Sequence, residues 1–148
     1  MKYAIIGATG NVGRKTIEIL EKSNLKVDKL NLLASKKSKG QNLSFRGKEI
    51  IVNDLENYNF SDANITFFAA GSKIAEKFAL NASKKTCVID NSKFFRMNTG
   101  IPLVVAEVNP NELNNHKNLI SNPNCSTIQL VLTLKPLHDV YKVKRVIV

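Results

Sequence analysis

The N-terminal segment constrains the fold most, because a short apolar run breaks at three glycines and helical periodicity follows at once. The run Tyr3–Ile6 leads into Gly7, Gly10 and Gly13. A strand, a glycine turn and a helix in this order form the context that a phosphate-cradling loop requires. Gly7 permits a tight turn, Gly10 lets the backbone approach a pyrophosphate, and Gly13 lets the helix pack closely. The segment predicts a nucleotide-binding α/β domain.

The glycine spacing departs from the strict dinucleotide fingerprint. It reads G-x-x-G-x-x-G, with Ala8 where a further glycine is expected. A cluster of three glycines is weak evidence by itself, and the flanking strand and helix patterns are what strengthen it. The candidate cofactor-binding residues of this loop are Gly7, Thr9, Gly10, Asn11 and Val12.

Strand and helix patterns alternate along the rest of the chain. Strands are predicted at Lys2–Gly7, Lys29–Ala34, Lys48–Val52, Asn64–Ala70, Thr86–Asp90, Val104–Val108 and Leu119–Ser121, and helices at Asn11–Lys22, Lys73–Lys84 and Cys125–Leu134. This alternation predicts a Rossmann-like, doubly wound and mostly parallel sheet, with ligands at the carboxyl ends of the strands. The stretch Ser35–Gly47 is rich in Lys, Ser and Gly and is expected to be a poorly ordered surface loop.

Composition narrows the class of protein. A chain of 148 residues, 43% of them hydrophobic, is long enough for about one domain with its own core. Two cysteines without paired spacing indicate neither disulfides nor a metal site and favour a reducing, cytoplasmic location. No apolar run approaches the ~18 residues that span a bilayer, so no membrane partner is expected. The net charge of +10 leaves nucleic-acid binding open as an alternative, but the lysines are scattered and favour a generally basic enzyme surface.

A lone cysteine near the other end carries the candidate chemistry. Asn122-Pro123-Asn124-Cys125-Ser126-Thr127 precedes an apolar run, which places Cys125 in the first turn of a predicted helix. The unpaired amides of a helix N-terminus favour a thiolate, and Asn124 offers an amide donor beside the sulfur. This arrangement suits nucleophilic attack on an acyl carbon. The alternative is a buried structural cysteine after a turn.

Together, the segments 7–13 and 122–129 closely resemble the aspartate-β-semialdehyde dehydrogenases. The resemblance runs in order through further segments at 33–35, 70–72, 88–92, 95–96 and 102–109. The N-acetyl-γ-glutamyl-phosphate reductases and the glyceraldehyde-3-phosphate dehydrogenases share the layout of glycine loop and cysteine, but the surroundings of their cysteine differ.

The resemblance implies an NADPH-dependent reduction. Cys125 would attack the acyl carbon of β-aspartyl phosphate, release phosphate and leave a thioester, which hydride then reduces to aspartate semialdehyde. Asn124 and backbone donors would stabilise the oxyanion. Arg96 would bind the substrate phosphate, and full-length relatives would be homodimers or tetramers. No metal is implied.

The cofactor preference rests on the end of the second predicted strand. An NAD-preferring domain usually carries Asp or Glu there to bind the ribose, whereas this chain has Ser35, Lys37 and Ser38 and no acid. Hydroxyls and lysines would instead receive a 2′-phosphate, which favours NADP(H), although a solvated surface loop is the alternative. Gly71, Ser72 and Asn91, which follow two later predicted strands, complete the expected cofactor site.

The end of the chain raises a further expectation. Residues 1–122 are predicted to form the NADP-binding domain, and 123–148 the cysteine helix and first strand, at Lys144–Val148, of an incomplete catalytic and dimerisation domain. The resemblance therefore implies a truncated product without independent turnover. The alternative is a non-catalytic nucleotide-binding fragment, or one half of a split enzyme.

Overall fold

A computed structural model describes all 148 residues and arranges them around one parallel sheet. The strands are β1 (Lys2–Ile6), β2 (Lys29–Ala34), β3 (Asn42–Phe45), β4 (Lys48–Ile51), β5 (Asn53–Asp54), β6 (Ile65–Phe68), β7 (Cys87–Asp90) and β8 (Leu119–Ser121). The helices are α1 (Asn11–Lys22), α2 (Ser72–Ala82) and α3 (Cys125–Tyr141). Six strands form the main sheet in the order β5-β2-β1-β6-β7-β8, and every neighbouring pair is parallel. The predicted Rossmann-like class is confirmed.

Strand β1 lies at the centre and fixes where a ligand can bind. β2 pairs with one side of β1 and β6 with the other, so the strand order reverses between β1 and β6. Open parallel sheets bind ligands in the crevice at such a switch point, beyond the carboxyl ends of the strands. The glycine loop follows β1 directly and therefore lies at this crevice.

Alternating side chains of β1 build a core on each face of the sheet. Ala4 and Ile6 pack on one face with the buried alanines of α2, whereas Tyr3 and Ile5 pack on the other with α1. Burying an isoleucine contributes about 1.5–3 kcal/mol. Both faces are covered, as parallel strands with near-continuous apolar sequence require.

The stretch Ser35–Gly47 is more ordered than expected. It contains a 3₁₀ turn at Lys36–Ser38 and strand β3, which pairs antiparallel with β4. Leu43 and Phe45 alternate with polar residues and are buried against the α1 face of the sheet. The expectation of a loop was wrong because burial of this alternating pair outweighs the loop-like composition. In consequence β4 lies in the hairpin, and β5 takes the edge of the main sheet.

The strand predicted at Val104–Val108 does not form. Only Leu103 makes an isolated bridge, to Ser121, and the chain then turns. The cause is Asn109, whose side chain accepts from the Val105 N–H at 2.8 Å and donates to the Leu103 carbonyl at 2.9 Å. These bonds satisfy backbone groups that a neighbouring strand would otherwise pair.

Helix α3 runs past its predicted end at Leu134 and includes Pro136. An ion pair between Lys135 and Asp139 supports this extension. None of its residues is buried, although the helix is rich in apolar side chains. The strand expected at Lys144–Val148 is absent, because no strand lies beside it to pair its backbone groups. No helix of the chain is both long and apolar enough to cross a membrane.

Candidate functional site

A cavity of about 1040 Å³ opens at the carboxyl ends of the central strands. Its walls come from the glycine loop, the turn after β2, the segment after β5 and the start of the α2 region. It brings together six of the predicted cofactor residues, namely Gly7, Thr9, Gly10, Ser35, Lys37 and Ser38. The other five predicted cofactor residues do not line it; they begin α1 (Asn11, Val12), precede or begin α2 (Gly71, Ser72) and follow β7 (Asn91).

The glycines of the loop are required by close backbone contacts. Gly7 has φ +80°, and a Cβ there would lie 2.8 Å from the Ala69 carbonyl group after β6. A Cβ on Gly13 would lie 2.1 Å from the Gly7 carbonyl oxygen. α1 thus starts directly against the loop, at the switch point of the sheet.

Two helices present uncapped N-termini near this loop. No side chain caps α1, and the exposed backbone N–H groups of Asn11 and Val12 have no partner within the chain. Gly71, at the N-cap of α2, provides no side-chain cap either. Free N–H groups and the helix dipole make such ends favourable for phosphate.

The turn after β2 supplies positive charge and hydroxyls. Lys36, Lys37 and Ser38 line the cavity, and the Ser38 hydroxyl lies 3.4 Å from the Thr9 hydroxyl. The neighbouring carboxylate, Asp54, is 8% exposed and accepts the Glu56 N–H at 3.2 Å as a helical cap. One oxygen of this cavity-lining carboxylate is therefore engaged with the backbone.

Sequence patterns missed several residues around the cavity. Arg14 donates to the Thr9 carbonyl at 3.0 Å and so holds the glycine loop. Lys36 lines the cavity beside Lys37, while Glu56 and Lys77 form a 2.7 Å ion pair between the β5 and α2 walls. The basic composition of residues 35–39 signals Lys36, but nothing in the local sequence links residues 56 and 77.

Cys125 is exposed at the first residue of α3. The side chain of Asn124 caps this helix: its Oδ1 accepts from the Ser126 N–H at 3.0 Å, from the Ser126 hydroxyl at 2.7 Å and from the Cys125 thiol at 3.6 Å. The expected amide donor beside the sulfur is therefore wrong in this structure, because capping turns the oxygen toward it. The backbone N–H groups of Cys125 and Thr127 remain unpaired.

Arg96 lies near the segment that leads to Cys125. Its Nε donates to the Asn122 carbonyl at 3.0 Å and its Nη2 to the Asn91 carbonyl at 2.9 Å. The Asn122 side chain donates in turn to Asn91 Oδ1 at 2.7 Å. Asn91, predicted at the cofactor, therefore sits with Arg96 and the cysteine segment at the β7 and β8 ends of the sheet.

Comparison with known proteins agrees with this geometry. Residues 2–116 match the family model described as semialdehyde dehydrogenase, NAD binding domain. The aspartate-semialdehyde dehydrogenase of Shewanella violacea is 44% identical over 145 residues, which cover 96% of this chain and 43% of that protein. The Bacillus subtilis enzyme of the same name is 43% identical over 149 residues, covering 100% of this chain and 43% of the enzyme.

Solved structures match as well. The crystal structure of Vibrio cholerae aspartate semialdehyde dehydrogenase II complexed with ASA superposes with a TM-score of 0.89 at 44% identity, covering 94% of this chain and 46% of that one. The Candida albicans enzyme with NADP gives a TM-score of 0.71 at 26% identity, covering 96% of this chain and 48% of that one.

The parallel sheet, its switch point and the glycine loop define a Rossmann-like nucleotide-binding domain. The chain belongs to the semialdehyde dehydrogenase family, and it spans less than half the length of the aspartate-semialdehyde dehydrogenases that it matches.

Proposed function

We propose that this chain forms the nucleotide-binding and cysteine-bearing part of an NADPH-dependent aspartate-semialdehyde dehydrogenase. The reaction converts β-aspartyl phosphate to aspartate semialdehyde and phosphate. One observation supports it above the others: the cavity follows β1, the exposed Cys125 follows β8, and both strands run parallel in one sheet. The nucleotide and the acyl group would therefore both lie at the carboxyl ends of the strands.

NADP(H) is the proposed cofactor, and the residues of the cavity fit it. The uncapped start of α1 would receive the pyrophosphate. Lys36, Lys37 and the Ser38 hydroxyl offer charge-assisted hydrogen bonds to a 2′-phosphate. When bound, NADPH supplies the hydride that reduces the acyl carbon.

Cys125 would act as the nucleophile. Its thiolate forms the bond to the acyl carbon, the bond from that carbon to the phosphate oxygen breaks, and phosphate leaves with the electron pair. A covalent thioester divides one difficult step into two easier ones. The unpaired backbone N–H groups of Cys125 and Thr127 are the available donors for the oxyanion. Donors of this kind contribute ~3–4 kcal/mol.

Arg96 would bind the phosphate of the substrate. Two backbone carbonyls hold its guanidinium, and no carboxylate pairs with it. No carboxylate neutralises the guanidinium, and its remaining N–H groups can donate to a phosphate, whose oxygens match the planar guanidinium geometry.

A second candidate is nucleotide binding without turnover by this chain alone, and the surroundings of Cys125 favour it. The only hydrogen-bond partner of the thiol is Asn124. His138 lies thirteen residues farther along α3, about 20 Å away. His116 is engaged with the Asn118 N–H. We therefore propose that residues 1–122 form the nucleotide domain, and that residues 123–148 belong to a catalytic unit whose proton acceptor lies outside this chain.

Complementation tests the proposal. The chain is mixed with a polypeptide covering the part of the Bacillus subtilis enzyme that it does not match, and gel filtration verifies that a complex forms. Aspartate semialdehyde, NADP and phosphate should then give NADPH, measured by absorbance, with loss of activity without phosphate or with Cys125→Ser. Cys87→Ser is the matched control and should retain activity. A complex that binds NADPH but never turns over would favour the second candidate.

A further inference from the structure

We infer that Asn122 is a positioning residue that fixes the Arg96 guanidinium relative to the Cys125 sulfur. The inference deepens the proposed function and rests on it, since it assumes that Arg96 serves the anionic group of the substrate. Asn122 is half-buried, and the hydrogen-bond partner of the thiol is Asn124, not Asn122.

The backbone of Asn122 is anchored to the sheet. Its N–H donates to the Asp90 carbonyl at 2.8 Å, which extends the pairing of β7 and β8 by one residue. Asp90 is fully buried and its carboxylate accepts from the N–H and the hydroxyl of Ser92. The position of Asn122 is thus fixed by a hydrogen bond to a fully buried residue at the carboxyl end of β7.

Three residues close a ring of hydrogen bonds at this point. Asn122 donates through its side chain to Asn91 and accepts Arg96 through its carbonyl, while the Asn91 carbonyl accepts the second guanidinium bond. The 2.7 Å hydrogen bond between the two side-chain amides fixes the separation of the two backbone carbonyls that accept from Arg96. Without it, the side chains of the two segments would no longer be joined, and beyond the backbone bonds of the sheet only Arg96 would link Asn91 to Asn122.

The same residue sets the distance to the nucleophile. Only Pro123 and Asn124 lie between Asn122 and Cys125, so the Cα atoms of Asn122 and Cys125 are at most about 10 Å apart. Pro123 is buried and restricts the backbone, and Asn124 is extended at φ −62° and ψ 145°. A guanidinium held on the Asn122 carbonyl is therefore also held near the start of α3.

The charge selectivity of alkylation at Cys125 tests this positioning role, in the unmodified chain and in its variants. Iodoacetate and iodoacetamide are alike in size but differ in charge, so the ratio of their rates at Cys125 reports positive charge near the sulfur. Rates are read by peptide mapping at low ionic strength, with thermal unfolding of each variant as a check of folding. Arg96→Gln should lower the ratio by about threefold or more.

Asn122→Ala should lower the ratio to a similar extent while the iodoacetamide rate stays nearly constant. Asn91→Ala removes the acceptor of the same hydrogen bond and should lower the rate ratio equally. The double variant Asn122→Ala/Asn91→Ala should show no further decrease in the ratio. Asn114→Ala, in an exposed turn, is the control and should leave the ratio unchanged. An unchanged ratio in Asn122→Ala and Asn91→Ala beside a lowered ratio in Arg96→Gln would overturn the positioning role alone. An unchanged ratio in Arg96→Gln would overturn both this role and the proposed phosphate site.

Discussion

The hydroxyl of Thr9 lies 3.4 Å from the hydroxyl of Ser38, so the glycine loop and the turn after β2 meet at one wall of the cavity. The two loops are neighbours because β1 and β2 pair in parallel, with Ile6 opposite Leu33. A nucleotide whose pyrophosphate occupies the glycine loop then has its ribose end within reach of the lysines of that turn.

Lys37→Glu should narrow or reverse a preference for NADPH over NADH, because the carboxylate repels the 2′-phosphate. Calorimetric titration of both cofactors measures the preference. Lys39→Glu introduces the same charge two residues away, where the side chain does not line the cavity, and should have a smaller effect. Equal affinity of the unmodified chain for both cofactors would contradict the assignment of the turn.

Gly13→Ala should destabilise the fold by on the order of 3 kcal/mol, because the added Cβ would overlap the Gly7 carbonyl. A loss of stability would be opposite to the usual effect, since replacing glycine with alanine normally stabilises a helix interior by about 1 kcal/mol. Denaturant unfolding measures the change. Gly100→Ala is the control: its Cβ would lie 3.5 Å from the Asn98 side-chain oxygen, an ordinary contact distance, so stability should stay nearly unchanged.

Cys125 should react with iodoacetamide at pH 7 well before Cys87. Cys125 is exposed, whereas Cys87 is half-buried in β7 and burial raises the pKa of its thiol. Peptide mapping against time separates the two sites, and Cys125→Ser should remove the fast phase. Earlier labelling of Cys87 would refute the assignment of the nucleophile.

Stability at alkaline pH should depend on Tyr58. Burial, together with the negative charge of Asp62, raises the pKa of Tyr58 to about 12 from 10.0. The protonated phenol is favoured in the folded state, so its contribution is complete below pH ~10 and is lost as the pH rises toward 12. We expect a loss of ~1 kcal/mol, below the full shift because the ring is partly exposed. Tyr58→Phe should remove this part of the pH dependence, whereas Tyr141→Phe, at an exposed position, should not.

Much of the fold follows from local patterns. α1 begins and ends where predicted, at Asn11 and Lys22, because glycine turns and apolar periodicity mark it. β2 and β8 also have their predicted bounds. β4 was predicted as a strand at Lys48–Val52, but β3, and with it the hairpin, was missed because only two apolar side chains, Leu43 and Phe45, mark β3 within a polar stretch.

The candidate site was predictable only in part. The glycine loop and the cysteine turn carry their own local signals, and the structure brings six predicted cofactor residues to one cavity. The Asn122–Asn91 bond joins residues 31 positions apart, so no local pattern reveals it. The orientation of Asn124 was missed because helix capping and contact with the thiol compete for one side chain.

Cys125 is proposed to carry the acyl group of the substrate during the reaction. The most direct measurement mixes the complemented enzyme with aspartate semialdehyde and NADP in the absence of phosphate. NADPH should form in a burst stoichiometric with Cys125, because the thioester waits for phosphate to release it, and peptide mapping should find the acyl group on Cys125. Added phosphate should convert the burst into steady turnover. Turnover that needs no phosphate, or an acyl group found on Cys87, would contradict the account.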